Sequence, residues 1–308
     1  MFTFQEVFMG PNGLRAGWRL LIFIGMLIPL YFGTGPIIDS AMLKLHADIF
    51  TPLGGFVVFS ILLAALFLAS GIMARIEGRR IADYGLPWRR AFCGQFWQGA
   101  AISFASLTTL LFGLRLAGVF SFGSLALHGA DIWKYGIQWA VSMFVIILFE
   151  DFLYRGYLLF TLTTGIGFWP AAVVSSLLMG GAHFLNPGGH GLGPFVTFLY
   201  CMVTCLVIRR TGDLWMGLGI HVTWDWGENF IYGVPSSGQL GQSHLLNSSL
   251  HGPVWLTGGA FGPDGAWPNF ALLVIWGVFF SVWLRGVKYP NPAAIPEPRR
   301  RLIEQEAA

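Results

Sequence analysis

A succession of long apolar runs constrains this chain more than any other feature. Runs of about 20 residues, the length a helix needs to cross roughly 30 Å of hydrocarbon, can be drawn near 17–36, 53–74, 96–115, 137–160, 168–186, 192–208, 213–231 and 268–286. In lipid a backbone polar group finds no water, so such runs fold as helices that satisfy their own N–H and C=O groups. The expected fold is all-α, a polytopic membrane helix bundle of about eight transmembrane helices. Composition agrees, with 11% charged residues where a soluble domain carries roughly 25%. The bundle is expected over residues 15–287, between an N-terminal cytoplasmic segment, 1–14, and a cytoplasmic tail, 288–308. Residues 1–14 lack a basic start, so the first run is expected to be a retained span rather than a signal peptide.

The basic residues fall unevenly. With a cytoplasmic N-terminus and an even number of spans, Arg15, Arg19, the cluster Arg75, Arg79, Arg80, Arg89 and Arg90, then Arg209, Arg210, Arg285, Lys288 and Arg299 to Arg301 all lie inside. Only Lys44, Arg115 and Lys134 lie outside. This positive-inside bias predicts a multi-pass cell-membrane protein with both termini cytoplasmic and the lipid bilayer as its surroundings. The net charge of +3 then reflects orientation, and nothing points to nucleic acid. The stretch from Tyr232 to Trp267 is rich in Gly and Ser and has no Lys or Arg, as expected of an exterior loop covering part of a cavity. Of the cysteines, Cys93 stands alone, while Cys201 and Cys205 sit one turn apart in an apolar run, where core packing is the default.

Ionisable side chains at membrane depth are costly and mark function by default. They are confined to Glu150, Asp151 and Arg155 in one run, His183 in the next, and His221, Asp225 and Glu228 in the seventh. On a helix Asp151 and Arg155, four apart, share a face and can pair, whereas Glu150 is turned away by about a quarter turn. Asp151 and Arg155 then read as framework, and Glu150 is left free to work. His221 and Asp225 also share a face. Glu228 returns to it near the helix end, where a solvated rim acid is expected. A lone membrane His or Glu is usually a packing or helix-bridging residue; two His and several acids at comparable depth favour a site. No H-E-x-x-H helix, G-x-S-x-G elbow, phosphate loop or dinucleotide fingerprint is present. A carboxylate working with two histidines remains.

These residues resemble the motifs of the CPBP family of intramembrane proteases, which includes the type II CAAX prenyl endopeptidases and bacteriocin-processing proteins. Its motifs E-E-x-x-x-R, F-x-x-x-H and H-x-x-x-N/D read here Glu150-Asp151-Phe152-Leu153-Tyr154-Arg155, Met179-Gly180-Gly181-Ala182-His183 and His221-Val222-Thr223-Trp224-Asp225. The resemblance covers about residues 137–231, the expected protease core. It departs at Asp151, one methylene short of Glu, at Met179 in place of Phe, and at Asp225, where Asn is commoner. It implies hydrolysis of peptide bonds in a membrane-associated, prenylated or leader-bearing polypeptide. Glu150 would be the base that activates water, with His183, His221 and Asp225 completing the catalytic set and His221 and Asp225 stabilising the oxyanion. Glu150, His183 and His221 would also suffice to ligate Zn²⁺; a metal-free glutamate mechanism uses the same residues, and the sequence leaves both open. The alternative from another class is a non-catalytic or transporter-like membrane protein that uses the polar cluster for ion binding or immunity.

Overall fold

Two prolines fail to stop the first helix. In the computed structural model, which describes residues 8–10 and 13–290, α1 runs from Ala16 to Leu45 through Pro29 and Pro36, well past the expected end. Helix α2, Pro52–Ile76, starts where Thr51 Oγ1 accepts from the Gly54 amide at 3.1 Å. Then come α3, Gly94–Leu116, and α4, Ala130–Asp151. Helix α4 runs into a π-helical stretch, Phe152–Leu158, that is kinked at the non-helical Gly156, and α5, Leu159–Ile166, follows. Helices α6, Phe168–Ala182, α7, Gly193–Thr211, and α8, Trp215–Trp226, follow. A second π-helical stretch, Gly227–Tyr232, extends α8, and α9 is Trp267–Trp283.

Every expected run is therefore helical, but not every one is lipid-length. Among the described residues six helical segments are long and apolar enough to cross a membrane: Ala16–Leu45, Pro52–Ile76, Gly94–Leu116, Ala130–Ile166, Phe168–Leu185 and Gly193–Thr211. The chain is thus a polytopic helical membrane protein. Helix α8 has only 12 α-helical residues, and Trp215 to Val222 are all buried. Helix α9 has 17 residues. A helix enclosed by protein on all sides takes its length from its neighbours rather than from the bilayer. Of the expected flanking segments, residues 1–7, 11–12 and 291–308 lie outside the described residues.

Helix α8 is the central element, packed on α3, α4 and α7. Its approach to α3 depends on two glycines. A Cβ at Gly219 would lie 2.1 Å from the Phe96 carbonyl oxygen, and one at Gly99 would lie 2.3 Å from that of Met216. Small residues at such a crossing let backbones meet, as membrane helices require where lipid removes the hydrophobic drive to associate. Gly219→Ala should therefore cost about 1–3 kcal/mol by overpacking, whereas Gly217→Ala, with nothing within 4 Å of its Cβ, should be neutral or slightly stabilising. Thermal unfolding of both variants in one detergent checks the contrast, and equal midpoints would refute it.

The two ends of the bundle differ in charge. At one end Arg19 Nη1 meets Glu77 Oε2 at 2.8 Å, Arg90 Nη1 meets the buried Asp213 Oδ2 at 2.8 Å, and Lys288 N donates to Arg209 O at 2.9 Å. Burial pushes the Asp213 carboxyl up, and the Arg90 charge opposes that. At the other end the 117–129 loop pairs with the Tyr232–Trp267 segment, two strands of two residues lying antiparallel with Phe120 opposite Leu250. There Gln242 N donates to Phe50 O at 2.8 Å. Arginines thus gather at one end, as the sequence bias requires, and the Gly- and Ser-rich segment closes the other.

Candidate active site

Asp151 ends α4 and Arg155 lies in the π-helical stretch that follows. Both are 1% exposed, and Arg155 Nη1 donates to Asp151 Oδ1. The other guanidinium arm turns to sulfur, with Nη2 3.3 Å from Met179 Sδ and 3.0 Å from Cys201 Sγ. The guanidinium carbon stands 5.4 Å from the centre of the Tyr200 ring. Met179 in the second motif is thus more than a tolerated replacement: its soft sulfur caps a buried cation. Inserted π turns are frequent at functional sites, and here the turn is kinked at Gly156, next to Arg155.

Asp151 also reaches across the bundle, where its Oδ1 accepts from His221 Nδ1 at 2.9 Å. A carboxylate can only accept, so Nδ1 carries a ring proton, and Nε2 is left without a hydrogen bond among the described residues. That Nε2 lies 3.8 Å from Asp225 Oδ2, too far for a hydrogen bond and the kind of gap that a water bridges. His183, at the start of a 3₁₀ turn after α6, is oriented the same way: Nδ1 lies 2.8 Å from the Met179 carbonyl, so its Nε2 is also free. His183, His221, Asp225 and Tyr200 line one cavity, which leaves about 40 Å³ for the centres of water-sized molecules. One water needs roughly 10–15 Å³ by that measure, so the cavity is large enough for water.

Glu150 is treated differently from its neighbour. It is partly buried, carries no hydrogen bond or ion pair among the described residues, and stands off the cavity wall. It is still close enough for its charge to act on His221 and Asp225. The zinc set of Glu150, His183 and His221 is not assembled. Among the described residues no three His, Cys, Asp or Glu side chains converge where a metal ion could sit, because Glu150 lies off the wall that the two imidazoles share. These residues do not fit a preformed zinc centre, and no step below runs through a metal.

Two further acids depart from the sequence reading. Glu228, expected at a solvated rim, is fully buried. Its carboxyl group lies toward Ser236 and Asp264, since the segment after Tyr232 folds back over the end of α8. Asp264, which periodicity gave no reason to single out, lines the cavity. Its Oδ1 accepts from Trp224 Nε1 at 2.7 Å, and its Oδ2 from Ser237 N at 2.8 Å and Ser237 Oγ at 2.9 Å. The available signal was chemical: an acid in Gly262-Pro263-Asp264-Gly265, inside a stretch without Lys or Arg.

Comparison with curated proteins and with solved structures gives no match. A family model does match: that of the Rce1-like type II CAAX prenyl endopeptidases, over residues 132–227. The matched stretch begins in α4 and ends just past α8. It contains Glu150, Asp151, Arg155, His183, His221 and Asp225. Residues 132–227 of this membrane protein are an Rce1-like type II CAAX prenyl endopeptidase domain.

Proposed function

We propose that the chain is an intramembrane endopeptidase that hydrolyses a peptide bond of a membrane-associated polypeptide, either prenylated or leader-bearing. The observation that carries this reading is the chain of contacts Arg155–Asp151–His221, which fixes one imidazole with its free nitrogen in a cavity large enough for water. A buried carboxylate holding a histidine in one tautomer is how acyl-transfer sites orient that group. Glu150 has no hydrogen-bond or ion-pair partner among the described residues, at a depth where charge is costly, and is the proposed general base. Water ordered by His183 and His221 loses a proton, through a second water, to Glu150 and attacks the carbonyl carbon. The C–N bond then breaks, and the proton passes to the leaving amine. His221, flanked by Asp151 and Asp225, steadies charge through both steps. The arginine-rich end is the proposed cytoplasmic side, with both termini there.

The test is cleavage of detergent-solubilised, membrane-anchored peptides by purified protein, with the His221→Ala variant as control. Wild-type cleavage that persists in His221→Ala overturns the assignment. Since no ligand set converges among the described residues, activity should survive prolonged chelation. Elemental analysis beside the assay decides this: loss of activity that added Zn²⁺ restores would reverse the expectation. His183→Ala should slow turnover by about 10–10³-fold as an orienting group without changing metal content.

A further inference from the structure

The arginine-rich end of the bundle carries two kinds of cation. Arg19, Arg80 and Arg90 each face a carboxylate, that of Glu77, Asp83 and Asp213 in turn. Arg209, Arg210 and Lys288 face none among the described residues, and the charge that acts on Arg209 is that of Arg210, of the same sign. These three are gathered by the chain after α9, which turns back across the end of α7. Lys288 N and Tyr289 N both donate to the Arg209 carbonyl, at 2.9 and 3.2 Å, and Arg210 Nη1 donates to Gly286 O at 2.9 Å. Gly212, in the left-handed conformation, ends α7, and a Cβ there would lie 3.2 Å from Lys288 Cβ. The Arg209 guanidinium carbon stands 4.6 Å from the centre of the Phe168 ring and 5.7 Å from that of Trp169, and Phe168 packs in turn on Tyr289.

Like charges held together repel, and packing here fixes them side by side instead of letting them part. Stacking on an aromatic face leaves the edge of a guanidinium, where its five N–H donors lie, open to an oxyanion, and that planar fork matches phosphate oxygens. The Arg209 donors are bonded to nothing among the described residues, and Arg210 Nε is a buried donor without a partner. Helix α7 is one of the lipid-length helices, so its end lies at the level of the lipid phosphates. Trp169 and Val287, chain neighbours of the ring under Arg209 and of Lys288, are 44% and 58% exposed. A small anion in solution would offset the charge and leave both of these uncovered; a phospholipid brings a phosphate and acyl chains together. A zwitterionic headgroup would set its own ammonium among the three cations, and an anionic one avoids that. We propose that Arg209, Arg210 and Lys288 form a binding site for the headgroup of an anionic phospholipid, with Arg209 and Arg210 on the phosphate and Lys288 at its rim.

The experiment is native mass spectrometry of the full-length protein released from micelles that contain equal amounts of phosphatidylglycerol and phosphatidylcholine with the same acyl chains. One phosphatidylglycerol should stay bound per chain in preference to phosphatidylcholine. Its apparent affinity should fall about fivefold for each cation neutralised, in Arg209→Gln and in Lys288→Gln. Because Arg209 packs on Phe168, the exposed Lys288 gives a second reading that does not disturb the helix contact. Arg75→Gln is the control: it removes an exposed charge from the last turn of α2 at the same end and should leave the affinity unchanged. Equal retention of the two lipids, or an equal loss in Arg75→Gln, would reveal only the diffuse charge of this end and overturn the site. Inorganic phosphate in large excess should not displace the lipid. Displacement by it would make the cluster a site for free phosphate and overturn the assignment to a lipid.

Discussion

Glu150→Gln should reduce turnover of a cleaved peptide by about 10²–10⁴-fold, the share general-base catalysis supplies, while the protein folds and melts as wild type. The two halves have one cause. Glu150 has no hydrogen bond or ion pair among the described residues, so replacing its carboxylate by an isosteric amide removes a proton acceptor and no structural contact. Substitutions away from such contacts change stability by about 0.5 kcal/mol or less. Single-turnover cleavage and thermal unfolding, run on the same preparations, check the pair. Wild-type turnover would remove Glu150 from the chemistry. A large fall in melting temperature would make it a structural residue instead.

Arg155→Ala should have the opposite profile in its first effect, lowering stability by roughly 3–5 kcal/mol because Asp151 is left as an uncompensated buried charge. Both side chains are 1% exposed, so water does not replace the lost partner. The double variant Asp151→Asn with Arg155→Met should recover part of that loss, since neutral replacements strand no charge. It should not recover activity. The Asp151→Asn change puts a neutral amide where the carboxylate stood, and His221 Nδ1 would lose the ionised acceptor that sets its tautomer. Denaturation midpoints and cleavage rates for wild type, both single variants and the double variant form the measurement. Single and double variants that melt like wild type would show that the pair contributes nothing to the fold.

The local part of this site could be read in the sequence, and the long-range part could not. A spacing of four on a helix brought Asp151 to Arg155 and put His221 and Asp225 on one face, and the structure has both contacts. Helical period says nothing about which faces meet. That Asp151 would also hold His221, 70 residues away, depends on α4 and α8 packing together. Glu228 was misplaced for a related reason. Its position near a helix end argued for solvent, and only the return of the Tyr232–Trp267 segment over that end buries it. Helix lengths followed the same division. Apolar runs located the helices, but the extension of α1 to Leu45 and the brevity of α8 depend on what surrounds each one. Asp264 sits in an irregular segment, where no periodicity exists to mark it.

The close crossing of α3 and α8 at Gly99 and Gly219 bears on how portable this catalytic unit is. The partner that lets α8 sit where His221 can meet Asp151 precedes residue 132, and the lid over the cavity follows residue 227. A transplanted 132–227 segment would carry its whole motif set and still present α8 with a bare face, with Asp225 open to whatever solvent or lipid lay above it. Inheritance of this chemistry is therefore expected to travel with the flanking helices, and exchanges between related proteins should be tolerated at the chain ends rather than at the borders of the matched segment.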